Sequence, residues 1–207
     1  MNVHGLVQLC QTTQSFYLHS LGIDAALRRG AVRSPEALEG VVCEVLTDAI
    51  GPADAVASGI AFRAARAGEA VEIPELAGVM NSEKLPAELR FASVQMGGRL
   101  WEMSRRWDWA GGVHQQYDPV LSRSPVHHAI AFGTLISETT SSEVRAIAAY
   151  LFNIARSIIT AAVQLIPLPE SDGDHVLAKV QPTIGQLASR CCAKTPADIA
   201  LVTWPKN

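Results

Sequence analysis

Residues 140–174 read TSSEVRAIAAYLFNIARSIITAAVQLIPLPESDGD. Thr140 stands three residues before Glu143, the spacing of a helix-capping box. A long run without glycine or proline follows, rich in Ala, Leu and Ile, until Pro167 and Pro169 end it. Proline lacks the amide a helix needs and clashes with the preceding turn. The stretch is predicted to be one long helix. Its polar residues Asn153, Arg156, Ser157, Thr160 and Gln164 fall within roughly a 100° arc at 100° per residue. Ile147, Tyr150, Leu151, Ile154, Ile158, Ile159, Val163 and Leu165 occupy the other faces. Such a helix is buried on most sides and keeps one narrow polar seam: a solvated stripe, an internal helix–helix seam or a partner groove. A membrane span needs only about 20 apolar residues, but Arg156 and Asn153 near the middle oppose that reading.

The same punctuation recurs on both sides of this helix. Residues 3–13 read as a short apolar helix, and Ser20 to Gly30 as a second, closed after Arg28 and Arg29. Ser34–Pro35–Glu36 is a start signal of cap, proline and first-turn acid. Leu38, Val41, Val42, Val45, Leu46 and Ala49 then follow the i, i+3, i+4, i+7 pattern. Gly51–Pro52 is expected to break the chain before an Ala-rich helix to about Arg66. Pro74 opens a short helix to Met80. Pro86 begins a long one to about Arg106, with Leu89, Ala92, Met96, Leu100 and Met103 on one side. Gly97–Gly98 inside it costs about 1 kcal/mol per glycine relative to alanine, an expense that close backbone approach to another helix would offset. Residues 107–125 read as a loop, with two glycines, two prolines and polar clusters. Trp107 and Trp109 at its base are either an exposed patch or the cover of a core edge. Helices follow over 126–136 and 174–192, the latter kinked at Pro182, and 193–207 is a short C-terminal tail.

No period-2 strand run and no hairpin signal occurs. The expectation is therefore all-α: a single-domain helical bundle, residues 1–207, around the long central helix. Hydrophobic content of 48% against 18% charge supplies a real core and argues against global disorder. A net charge of −3 lacks the dense cationic surface that non-specific nucleic-acid binding needs. Cys10, Cys43, Cys191 and Cys192 form no disulfide-framework pattern, and no signal-peptide pattern opens the chain, so a reducing cytoplasm is the expected home.

Chemistry-bearing motifs are scarce. There is no Gly-x-Ser-x-Gly elbow, phosphate loop or His-Glu-x-x-His. His127–His128 and Cys191–Cys192 invite a metal reading, but adjacent helical residues point about 100° apart and seldom share one ion. His19 and His175 are isolated.

Four stretches in this order resemble the urease accessory protein F family (UreF). Glu88–Leu89–Arg90–Phe91–Ala92–Ser93–Val94–Gln95–Met96–Gly97–Gly98–Arg99–Leu100 is similar to that family's Glu-x-Arg-x-Ala-Ser-x-Gln-x-Gly-Arg-Arg-Leu helix. Ala149–Tyr150–Leu151 through Ala161–Ala162–Val163–Gln164–Leu165–Ile166–Pro167–Leu168, then Asp172–Gly173, resembles its Tyr-Leu … Ala-Ala-Val-Arg-Leu-(Ile/Val)-Pro-Leu-Gly-Gln-x-x-Gly-Gln segment. Tyr17 to Ala26 resembles Phe-x-x-Ser-x-Gly-Leu-Glu-x-Ala, and His127 to Gly133 resembles His-x-Pro-Val-x-Phe-Gly. The resemblance implies an all-α, cytoplasmic, often dimeric protein without catalytic activity. It implies an adaptor that assembles with a second accessory protein (type D, also called H) and the accessory GTPase (type G) to deliver nickel to apo-urease. The complex, rather than this chain, would handle the nickel, and no cofactor is expected. Partner contacts would fall on the polar motif positions His19, Ser20 and Asp24, then Arg90, Gln95 and Arg99, with Gln164 on the seam. Gln164 stands where the family usually carries Arg or Lys, Gly98 replaces one of its paired arginines, and Pro169–Glu170 replaces Gly-Gln. A second class of function stays open: a paralogue binding a small molecule or another protein, unrelated to urease, with convergent polar groups around His127, His175 and Arg156.

Overall fold

The computed structural model describes residues 2–11, 23, 27, 30, 32–70, 72–82, 86–166, 168–200 and 202. Among them there are helices and turns and no strand. The helices are α1 (Val3–Gln11), α2 (Pro35–Glu44), α3 (Val56–Ala67), α4 (Glu72–Met80), α5 (Ala87–Ser104), α6 (Gly111–Leu121), α7 (His128–Ile136), α8 (Glu143–Leu165), α9 (Glu170–Lys179) and α10 (Gln181–Cys191). The fold is all-α, as expected. The expected helix over Ser20 to Gly30 lies mostly outside the described residues.

The central helix is α8. Ile147, Tyr150, Leu151, Ile154, Ile158 and Ile159 are all buried, and α8 packs against α1, α2, α3, α7, α9 and α10. Its entry differs from the capping box read in the sequence. Ser142 is the N-cap, its hydroxyl accepting from Arg145 N at 3.4 Å, while Thr140 Oγ1 accepts from Ser142 N. Glu143 turns away: it takes the Arg63 guanidinium from α3 and the Ala193 amide, tying the chain after α10 to both helices.

Helix α3 is closely packed, because its Ala-rich surface lets neighbours approach. Gly133 of α7 sits where an added Cβ would stand 2.2 Å from Ser58 O. Only a residue without a side chain permits that crossing.

Two expectations are corrected. Gly51–Pro52 does not break the chain: α2 runs through a π-helical stretch, Val45–Ala55, directly into α3. Pro52 has no amide to donate, and the wider π turn accommodates that loss within a helix. The Gly51 carbonyl accepts from Cys191 Sγ at 3.4 Å, and the Pro52 carbonyl from Ala200 N at 3.0 Å. Buried Leu46, Ala49, Ile50 and Ala53 hold the stretch in the core. Residues 107–125 are likewise not a loop: a 3-10 turn, Asp108–Ala110, leads into α6. Val113, His114, Tyr117 and Leu121 are buried at helical spacing, and the Tyr117 hydroxyl donates to Ala64 O and Ala65 O. Tertiary burial overrides the local breakers Gly111, Gly112 and Pro119.

The kink expected at Pro182 is the junction between α9 and α10, with Val180 at φ −81°, ψ −8°. Two helical runs, Pro35–Ala67 and Glu143–Leu165, are long and apolar enough to cross a membrane, and most of each is buried inside this fold.

Candidate functional site

Helix α5 carries three of the seven sequence-predicted contact residues, Arg90, Gln95 and Arg99, and its two faces differ. The inner face buries Leu89, Ala92, Ser93, Met96, Gly97, Leu100, Trp101 and Ser104. Met103, expected on that side, is 37% exposed; Ser104, one position on, takes the inward place. The outer face presents Phe91, Gln95, Arg99 and Met103 at i, i+4, i+8 and i+12, a row about 18 Å long at 1.5 Å per residue. Phe91 is 69% exposed. An exposed aromatic at the head of a polar row is the pattern of an anchor residue for a protein partner.

Arg90 does not share this face. It is half-buried, and its guanidinium donates to Ser82 O at 3.1 Å, fastening the turn that precedes α5. Gln164 stands apart, exposed on α8 in a groove lined by residues of α8 and α9 only. His19, Ser20 and Asp24 lie outside the described residues. The structure thus brings Gln95 and Arg99 together and separates them from Arg90 and Gln164.

Beneath the outer row, α5 crosses α7 at very short range. A Cβ on Gly97 would stand 2.0 Å from Val126 O and 2.5 Å from His127 C. That approach accounts for Gly97; Gly98, with nothing within 4 Å, is not explained by it. Ser93 completes the crossing. Its hydroxyl accepts from the His128 amide at 3.3 Å and lies 3.2 Å from His127 Nδ1, so α5 caps the start of α7. Both histidines are buried, each with its pKa lowered to about 4: His127 by burial and the nearby Arg90 charge, His128 by burial alone. They face separate partners, since His128 Nδ1 lies 3.4 Å from the Tyr150 hydroxyl. This is packing, not a shared metal site. Among the described residues no cluster of three or more His, Cys, Asp or Glu side chains could hold an ion.

Sequence reasoning missed one constellation. Ser104 Oγ lies 2.9 Å from His114 Nε2, and His114 Nδ1 lies 3.1 Å from Asp118 Oδ1. Asp118 also accepts from Trp101 Nε1 at 2.8 Å and from Arg105. Burial pushes its carboxyl upward, and hydrogen bonds from Arg105, His114 and Trp101 outweigh this and hold it below the usual range. The order is that of an activated serine, but Ser104 has no exposed surface and its hydroxyl donates to Trp101 O. No substrate reaches it, so the set acts as a strut joining α6 to the end of α5. The His114–Asp118 spacing, i and i+4, was its only sequence signal, inside a stretch read as loop.

Trp107 and Trp109 stack at 5.3 Å and are half-buried, with Trp109 Nε1 donating to Gln8 Oε1. They cover a core edge at α1.

The family model for UreF matches residues 32–181, which span α2 to the start of α10. The chain belongs to the UreF family. A relative from Arthrobacter sp. (strain FB24), named urease accessory protein UreF, is 29% identical over 189 residues, covering 90% of this chain and 81% of that protein. The protein of the same name in Paenarthrobacter aurescens (strain TC1) is 28% identical over 169 residues, covering 81% and 73%. That of Picosynechococcus sp. (strain ATCC 27264 / PCC 7002 / PR-6) is 27% identical over 131 residues, covering 60% and 56%. The matched segment contains the whole of α5, α7 and α8. The UreF family is one of accessory proteins, and this member is not an enzyme.

Proposed function

We propose that the chain serves urease maturation as a cytoplasmic, non-catalytic adaptor. It links the accessory GTPase (type G) and the type D/H accessory protein to apo-urease for nickel insertion, and it works as a homodimer. The outer row of α5, led by Phe91 and continued by Gln95 and Arg99, is the face that meets a partner.

The observation that carries this reading is the contrast across α5. Its inner face is closed against α7 by Gly97, so the outer face is rigidly presented. A solvent-exposed phenylalanine there gains on being covered, at about 25 cal/mol per Å² of apolar surface removed from water. The family membership supplies the process; α5 supplies the surface. Arg99 would meet a carboxylate, the pairing that guanidinium geometry favours.

The test is co-purification with the type D and G proteins and apo-urease of the same source, with and without GTP and nickel. Wild type is expected to capture them, and Phe91→Ser combined with Arg99→Glu to lose capture of the type D protein while staying helical. Capture by the double variant at wild-type affinity would overturn the site; no capture by wild type would overturn the adaptor role.

A further inference from the structure

We infer that the groove between α8 and α9 is a binding site for a free α-amino acid, a function separate from the adaptor role. The groove has a volume of about 250 Å³ and is lined by Arg156, Ile159, Thr160, Val163, Gln164, Gly173, Asp174 and Leu177. Three features select the ligand.

The first is layout. Arg156, Thr160 and Gln164 stand at i, i+4 and i+8, forming one polar wall about 12 Å long. Ile159, Val163 and Leu177 make the floor. Gly173 faces that floor, since a Cβ there would stand 3.3 Å from Ile159 Cγ2 and 3.2 Å from Val163 Cγ2. The glycine draws the two helices together and leaves the space above it unfilled.

The second is charge. Arg156 and Asp174 line the same groove, one cationic and one anionic, and both are exposed. Neither is joined in an ion pair to another side chain among the described residues. Their charges cancel, so the groove suits a molecule that is itself neutral overall but carries both signs. Arg156 takes a carboxylate and Asp174 an ammonium, each through charge-assisted hydrogen bonds. Thr160 and Gln164 add neutral donors and acceptors.

The third is size. The volume equals that of roughly eight waters at about 30 Å³ each, the scale of one amino acid whose aliphatic side chain lies on the Ile159–Val163–Leu177 floor. Four polar side chains, Arg156, Thr160, Gln164 and Asp174, stand over the apolar floor, which gives a small ligand both an orienting polar rim and a surface for its side chain.

The experiment is an NMR titration of the full chain with L-leucine, L-glutamate and L-lysine. L-Leucine is expected to shift amides of residues 156–164 and 173–177 saturably, with a Kd on the order of 1 mM, because both charges face solvent. N-acetyl-leucine, lacking the ammonium, and leucine amide, lacking the carboxylate, should each bind about tenfold more weakly, and Arg156→Gln and Asp174→Asn should weaken L-leucine by about the same factor. Thr160→Trp, on the exposed wall, should block binding while circular dichroism stays unchanged. No saturable shift with any of the three amino acids at tenfold that concentration overturns the proposal, as does unchanged affinity in the charge variants. A third result also overturns it: Arg156→Gln and Asp174→Asn losing capture of an accessory protein while no amino acid binds wild type. The groove would then be a protein-docking face. The adaptor role is read on α5 and stands or falls on its own pull-down.

Discussion

The α5–α7 and α8–α9 pairs each meet at a glycine, and the contrast between them separates structure from site. At the α5–α7 crossing, Gly97 lies against backbone, with Val126 O 2.0 Å from where a Cβ would be. At the α8–α9 pair, Gly173 lies against the side-chain methyls of Val163 and Ile159 at 3.2 and 3.3 Å. Backbone at the entry to α7 can yield only if the chain itself moves; methyl groups on rotatable side chains can turn aside alone. The first contact is therefore closed and structural, and the second leaves adjustable open space.

The sharpest break of that comparison is Gly97→Ala. The added methyl must push α7 away from α5 and disrupt the Ser93 contacts, at a cost of about 3 kcal/mol or more. A matching loss in urea-unfolding midpoint checks it. Unchanged stability would show that the crossing is looser than its geometry states.

The same crossing gives a pH prediction. His127 and His128 are lowered to about 4 in the fold, against about 6.5 in an unfolded chain. The folded value lies below the unfolded one, so the stability each neutral imidazole contributes is complete above about 6.5 and is lost as pH falls toward 4. Between pH 6.5 and 5 each histidine should account for about 1.5 kcal/mol. Chemical denaturation across that range should fall less steeply in His128→Phe, by about one histidine's share.

Gly173→Ala should cost under about 1 kcal/mol, because Val163 and Ile159 need shift only a few tenths of an ångström and alanine favours the helix. Thermal melts of this variant beside Gly97→Ala would set the two glycines on one scale. Equal losses would erase the distinction drawn between the two pairs.

The long helices were legible in the sequence because their evidence is periodic: apolar residues recur at helical spacing along α5 and α8, and proline marks the start of the first and the end of the second. Gly97 could be read as a close approach, since a mid-helix glycine needs an offsetting contact. The π-helical passage at Pro52 and helix α6 were not legible. In each, local breakers gave one answer and burial gave another, and burial depends on partners distant in sequence: Cys191 and Ala200 for the first, Ala64 and Ser104 for the second. The Ser104–His114–Asp118 strut went unread for the same reason. On the central seam, periodicity placed five polar residues on one arc but could not divide them. Asn153 and Ser157 are buried, whereas Arg156, Thr160 and Gln164 open onto the α8–α9 groove.

The smallest effect on stability is expected on the outer face of α5, and it carries the most functional information. Arg99 is exposed and lies across the helix from Gly97. Arg99→Glu adds an acid beside Glu102 without entering the core, so unfolding should change by about 0.5 kcal/mol, the scale of an exposed contact. If α5 is a partner face, the same substitution places a like charge opposite the carboxylate that Arg99 would meet, where repulsion costs several kcal/mol. Stability and binding then separate: a wild-type melting curve beside lost co-purification of the type D protein. The reverse pattern, retained binding with a lowered melting point, would move Arg99 from the contact face into the framework. It would leave Phe91 as the remaining ground for a docking surface on this helix.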